Sequence, residues 1–480
     1  MSGYIEGISR DQVTLFPDRL EDWIDEDHPV RVIDAFVDAM DLAEAGFARM
    51  SPAQTGRPSY HPSVLLKLFI YGYLNRIPSS RRLEREAGRN VEAMWLTGRL
   101  VPDHKTIADF RKDNGPGIRK ACARFVELCR QIGVLSGGSV AIDGSKFKAV
   151  NNRDRNFTPG KVELRIKHLE ASATRYLEEM GRADALEGSE AKLRKVTRLK
   201  EKLARVRQEV QRLEGIAEAL TDVPDGQISL TDPDARSMAT YGKGTGLVGY
   251  NVQTAVDVDT HLIVTHEVTN VGNDRSQLAP MASAAKEALE ADRLDAIADR
   301  GYFNGAELLS CHEAGITATV PRPETSNNRK KGMFVKADFV YDASADTYLC
   351  PARKPLAYRY TTEEKGLMLR RYWRSDCPSC PLSDKCTTGK ERRITRWEHE
   401  HLIEAINSRM EDNPNLMRTR RCTVEHPFGT IKAWMGSTHF QMRRLKNVRT
   451  EMALHVLAYN IKRMINMICA GALLKAITAA

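Results

Sequence analysis

The chain has 480 residues, enough for several domains and for an apolar core that needs no covalent staples. Apolar residues make up 42% and charged ones 28%, which excludes a largely disordered chain. Lys and Arg number 72 against 63 Asp and Glu, and the resulting +9 suits a polyanionic partner, since each neutralised phosphate releases a condensed counterion.

The first residues, MSGYIEGISRDQ, lack a basic start followed by an apolar core, so no secretion signal is expected. Residues from about 12 to 130 read as helical. Val64, Leu65, Leu68, Tyr71 and Leu74 recur at helical spacing after Pro62, which suits a first-turn position. Pro78, Ser79 and Ser80 break that pattern and offer a cap for a helix from Arg81 onward. Arg81, Arg82, Arg85 and Arg89 then recur along one segment, either as a solvated face or as a DNA-contacting one. The stretch IADFRKDNG predicts another short amphipathic helix.

The character changes at 137–150, where GGSVAIDGSKFKA reads as a short apolar strand ending in Asp143 and Gly144. From 161 to 216 apolar residues follow a 3.5-residue period. Val162, Ile166, Leu169, Ala173, Tyr176 and Met180 form one series, and Val196, Leu199, Leu203, Val206, Val210 and Leu213 form another. With GRADALEGSE between them they predict a helical hairpin, a structural arm or one that dimerises or braces DNA. Gly242 to Gly246 reads as a turn, because it lacks the spacing of a phosphate-binding loop.

Strand signals return at 248–258 and 261–268, followed by a helix at 276–291 and an apolar run ending in Asp299, Arg300, Gly301 and Tyr302. GITATVPRP reads as one more strand. This alternation, with carboxylates at strand ends, predicts an α/β domain built on a mixed sheet. Charged WEHEHLIEAI reads as an exposed helix start. Arg443, Arg444, Lys446 and Arg449, beside Phe440 and Met442, suit a basic helix near DNA or a solvated face. MINMICAGALLKAITAA, interrupted by Asn466 and Lys475, reads as a buried helix rather than a membrane span.

Two constellations carry chemistry. Asp143 and Asp299 each end an apolar strand before a glycine-containing turn, so they can converge on divalent metal ions of the kind phosphodiester chemistry uses. On a helix over 420–434, Arg421, Glu425 and Lys432 fall on one face, an acid flanked by cations or an ordinary Arg421–Glu425 ion pair. Separately, Cys350, Cys377, Cys380 and Cys386 offer four thiolates whose spacing can supply a tetrahedral, closed and therefore structural Zn²⁺ site. A disulfide pair or unpaired thiols are the alternatives. An odd total of nine cysteines without an overall framework points to a reducing cytoplasm.

The phrases AIDGSKFKA, GYNVQTAVD, IADRGYFNGAEL and VEHPFGTIK, in this order, resemble the transposases of the bacterial IS1182 group, within the wider IS4/IS5-like DDE superfamily. GRPSYHPSVLLKLFIYGYL extends the resemblance into the helical region. It implies an RNase H-like catalytic core in which Asp143, Asp299 and Glu425 bind two Mg²⁺ or Mn²⁺ ions. It also implies that Arg421 and Lys432 contact DNA near the cut, as R-x₃-E-x₆-K, with Arg418 standing where the family signature has tyrosine. A cysteine-rich insertion between the second and third carboxylates is a family feature too. The expected organisation is a helical DNA-binding region (1–135), a core (136–160 and 217–330), a hairpin insertion (161–216), a zinc-ribbon-like insertion (331–400) and C-terminal core helices (401–480). The expected activity is cleavage of double-stranded DNA at terminal inverted repeats and joining to target DNA, by a homodimer or larger assembly. Two alternatives stay open at this level: a DNA-binding protein without catalysis, and a nuclease that cuts without joining.

Overall fold

The computed structural model describes residues 19–50, 58–135, 137–151, 153–184, 190–239, 246–323 and 327–479. The amino-terminal stretch and the 242–245 part of the glycine-rich turn lie outside them.

The amino-terminal third is helical as its spacing predicts. The Pro62–Leu74 helix starts on His61, whose ring accepts from Ser63 N–H, and Pro62 fills the first turn where its missing N–H costs nothing. It is apolar all round, and accordingly it is buried on nearly every side. The His104–Asp113 helix is capped by Asp103, which accepts from the N–H groups of Lys105 and Thr106. Ser79, by contrast, sits at the cap position of the Ser80–Ala87 helix without a side-chain bond to it.

The main sheet opens with β1 (Ser139–Lys148). Two short strands, β2 (Asn156–Phe157) and β3 (Ile228–Ser229), pair at the root of the helical hairpin formed by Pro159–Asp184 and Glu190–Thr221. This hairpin has its own small core of Phe157, Val162, Leu213 and Leu220, so the 3.5-residue period finds its partner within the arm. The sheet continues with β4 (Arg236–Ala239), β5 (Gly246–Asp257), β6 (Ile263–Thr269), β7 (Leu294–Ala298) and β8 (Ile316–Thr319). Its order is β4-β5-β1-β7-β8, with β6 also on β5. β5 runs antiparallel to β1, β4 and β6, whereas β7 is parallel to both β1 and β8. Each parallel step needs a crossover, and the Leu278–Ala288 and Gly305–Glu313 helices supply them. The last strand is shorter than GITATVPRP suggested, because Pro321 has no N–H to extend the ladder.

A second, antiparallel sheet follows: β9 (Val340–Asp342), β10 (Thr347–Leu349), β11 (Pro355–Glu364), β12 (Leu367–Trp373) and β13 (Ile394–Trp397), in the order β13-β12-β11-β10-β9. It packs its own core of Phe339, Tyr348, Leu356, Tyr372 and Ile394. The Glu400–Asp412 helix comes next, and its start is not the exposed one the charges suggested. Glu400 is buried, bonded to Arg322 and Lys336, and accepts from Trp397 N–H. Paired charge makes burial tolerable there.

The Leu416–Gly429 helix crosses the main sheet, and the Leu445–Ile468 helix threads the core between the sheet and the amino-terminal helices. The basic tract at 443–449 is split by that boundary. Arg443 and Arg444 precede the helix, and Arg449 bonds to Glu267 and the carbonyl of Val268. The carboxyl-terminal segment is helical, broken at Cys469 into two pieces, but it is not the buried helix expected. Of its described residues only Met464, Ala470, Leu473 and Ile477 are buried, and Asn466, Met467 and Lys475 face outward. Among the described residues no helix is long and apolar enough to cross a membrane.

Candidate active site

The parallel register of β1 and β7 fixes where the first two carboxylates lie. Ile142 pairs with Ala298, so Asp143 and Asp299 are the next residues on adjacent strands, at the same level. Asp143 is still within β1, while Asp299 leaves β7 as the cap of a tight turn and accepts from Gly301 N–H at 2.7 Å.

A cation already joins the two. Arg420 Nη2 lies 2.6 Å from Asp143 Oδ1 and 4.0 Å from Asp299 Oδ2, and donates to the Ile142 carbonyl at 3.2 Å. Asp143's pKa is raised: burial pushes it up, the Arg420 guanidinium pulls it down, and the charge of Asp299 adds to the rise. Arg420 is not among the residues that the sequence singles out, but a signal for it exists. Val424, Pro427, Phe428 and Ile431 form the buried stripe of their helix, and Arg420 continues that stripe four residues earlier.

Lys432 is brought to the same strand. Its Nζ donates to Ser145 Oγ at 2.5 Å and to the Lys146 carbonyl at 3.1 Å, and lies 4.5 Å from the Phe147 ring centre. Burial lowers its pKa, opposed by Asp143. Arg421 and Glu425 are both exposed, and neither forms an ion pair with a described residue, so the simple Arg421–Glu425 pair is not formed. Along the helix axis Glu425 lies between the two anchor points, Arg420 on Asp143 and Lys432 on Ser145. Arg443 and Arg444 are exposed; the backbone N–H of Arg444 is held by Asp232 Oδ1 at 2.9 Å.

Beneath Asp143 lies a polar cluster that nothing in the local sequence marks. Asp274 accepts from Asn251 Nδ2 and Gln253 Nε2, each at 2.7 Å, and Gln253 in turn accepts from the buried Tyr302 hydroxyl. Tyr302 closes the turn that Asp299 caps. Gly144 leaves the room for this: a Cβ there would collide with Gln253 and stand 2.7 Å from Asp274 Oδ1.

Two carboxylates at one level, sharing one cation, are hard oxygen donors of the type Mg²⁺ or Mn²⁺ prefers. Among the described residues, however, no group of three or more His, Cys, Asp or Glu side chains could hold a metal ion as placed. This applies equally to Cys350, Cys377, Cys380 and Cys386. They line one pocket with Phe334, Phe339 and Leu356, and carry no disulfide. Burial raises the Cys386 thiol, with the other three close enough to add to it.

Residues 18–113 match a transposase domain family (DUF772), and residues 349–465 match the family described as transposase DDE domain. The chain thus carries two transposase segments, the second of the DDE type. Its activity is DNA cleavage and strand transfer, and enzymes of this kind use divalent metal ions, generally Mg²⁺ or Mn²⁺. The matched part of this transposase contains Arg420, Glu425 and Lys432. Among solved structures, the cryo-EM structure of a piggyBac transposase synaptic complex with hairpin DNA is similar over 94% of this chain and 78% of its own. The TM-score is 0.34 and the identity 8%, too distant a likeness to carry an argument. The comparison with curated proteins finds no match.

Proposed function

We propose that Asp143, Asp299 and Glu425 are the metal-binding triad of this transposase, on an RNase H-like core, cutting double-stranded DNA at terminal inverted repeats and joining the freed ends to target DNA. The observation that carries the reading is the shared level of Asp143 and Asp299, bridged by Arg420 from the helix that bears Glu425. The run of strands β6-β5-β1-β7-β8, antiparallel on one side of β1 and parallel on the other, supports the RNase H-like assignment.

Two divalent ions, when bound, would activate the attacking oxygen and neutralise the leaving one. The chain's own residues do the rest. Asp143 and Asp299 supply the fixed oxygens, and Arg420 holds them against mutual repulsion. Glu425, exposed on the helix that carries Arg420, would supply the third carboxylate. Lys432 supplies positive charge beside β1 for a DNA phosphate, and Arg421, Arg443 and Arg444 add to it from the surface.

The four cysteines, gathered on one pocket of the second sheet, support a structural Zn²⁺ site in a zinc-ribbon-like insertion spanning 331–400. The helical region 1–135 fits DNA binding, the hairpin 161–216 is an insertion in the core (136–160 and 217–330), and 401–480 returns to it. Two DNA ends must meet for joining, which favours a homodimer or larger assembly.

A cleavage and joining assay on duplexes carrying the element's ends, with Mg²⁺ or Mn²⁺, tests the triad. Asp143→Asn, Asp299→Asn and Glu425→Gln should each lower the rate by about a thousandfold or more, the loss of some ~4 kcal/mol of transition-state stabilisation, while DNA binding persists. A Glu425→Gln variant of full activity would remove that residue from the triad. Cutting without joining by the wild type would indicate a nuclease, and binding without cutting a non-catalytic DNA-binding protein.

A further inference from the structure

The Pro62–Leu74 helix ends in an unusual way. Ile77 N–H reaches back to the Gly72 carbonyl, a closure that requires the residue before Ile77 to adopt the left-handed region. Glycine is the residue that takes this position without strain, yet here it is Arg76, at φ 61°. A side chain retained where glycine would fit better is a reason to ask what that side chain does.

Arg76 reaches across to the carboxyl-terminal half of the chain. Its guanidinium carbon lies 4.8 Å from the ring centre of Trp434, and Lys462 Nζ lies 4.0 Å from the same ring. Trp434 is 40% exposed and ends the π-helical turn Thr430–Trp434, which also delivers Lys432 to β1. Irregular turns of this kind recur at functional sites. An indole attracts cations through its quadrupole but does not neutralise them. Neither Arg76 nor Lys462 forms an ion pair or hydrogen bond with any described residue, unlike Arg420 or Arg449, each of which has a carboxylate. Burial lowers the pKa of Lys462, and the charge of nearby Arg76 adds to that. Two positive charges are thus fixed near one another on a half-exposed ring, with nothing anionic among the described residues to balance them.

We propose that Arg76 and Lys462, fixed on Trp434, form a DNA phosphate site of the transposase, separate from the carboxylate centre and joining the amino-terminal helical region to the catalytic helix. The proposal rests on the transposase reading for its partner and adds the residues that take the backbone. A phosphodiester oxygen supplies the missing negative charge, and the preset cations lose little freedom on binding it.

The test is the salt dependence of binding to duplex DNA by the full-length protein, with a thermal melt of each variant alongside. Removing one phosphate-binding cation should reduce the slope of log affinity against log salt by about 1. Arg76→Gly should show that reduction with an unchanged or higher melting temperature, because glycine suits the left-handed position. Arg76→Lys should keep the wild-type slope, and Lys462→Gln should lower it by about 1 as Arg76→Gly does. Wild-type slopes in both Arg76→Gly and Lys462→Gln, with the wild type binding DNA normally, would overturn the proposal. Failure of the wild type itself to bind DNA would remove the transposase reading and, with it, the ligand named here.

Discussion

Arg420 does at the level of one residue what a metal ion would do at the same point: it sets a positive charge between two carboxylates on neighbouring strands. Arg420→Met should therefore cost the metal-free protein about 2–3 kcal/mol, less than a fully buried pair because Asp143 remains a quarter exposed. Adding Mg²⁺ should raise the melting temperature of Arg420→Met more than that of the wild type, whose carboxylates already have a cation. Equal shifts in the two proteins would show that Arg420 does not stand where the ion binds. Asp299 is legible in the sequence because an apolar run followed at once by a carboxylate and a glycine turn is a local signal. Asp143 is picked out by the same pattern, although its strand runs on through Gly144 to Lys148 instead of turning there. The choice between Arg420 and Arg421 is not legible, since it depends on the phase of a helix against a sheet hundreds of residues away in the chain. Asp274 leaves no local mark at all: it sits in the loop after β6, and its partners Asn251 and Gln253 lie on β5.

Among the elements, the helical hairpin is the most readable, because its apolar period is satisfied within the arm and needs no knowledge of the rest of the fold. That independence predicts a tolerance. Shortening the arm to its root, replacing 172–205 by a short glycine-rich turn, keeps Val162, Leu213 and Leu220 together and should leave the main melting transition within about 1 kcal/mol of the full chain. A collapse of that transition would show that the arm's outer half supports the sheet. The start of the Glu400–Asp412 helix is hidden for the opposite reason. Its charges look solvated along the sequence, and only the approach of Arg322 and Lys336 from another segment turns Glu400 into a buried partner.

Across the whole molecule, a single apolar core runs from the amino-terminal helices through the main sheet to the Leu445–Ile468 helix. The packing is close: a Cβ on Gly115 would stand 2.5 Å from Thr450 Oγ1. Buried His455 bonds Ser437 at 2.9 Å and sits edge-on to Tyr73, whose hydroxyl takes Arg111. Residues 1–135 expressed alone should consequently lack a cooperative thermal transition, because the helix that covers the Pro62–Leu74 and Gly115–Gln131 helices is missing. A sharp melt of that fragment in circular dichroism would show that it is self-sufficient. Sequence patterning reveals that these helices exist but not that their apolar faces close on the far end of the chain.

The pairing of Ile142 with Ala298 has a consequence for how this molecule can change over evolutionary time. One residue gained or lost inside either strand would turn a single carboxylate to the opposite side of the sheet, and a change of two would restore the side but shift it by about 7 Å. The connections obey no such phase rule. Inheritance can therefore lengthen or exchange the coiled arm and the cysteine-bearing sheet freely while the two carboxylate positions stay in step, and natural variation in chain length should collect in those connections and spare the ten residues of one strand and the five of the other.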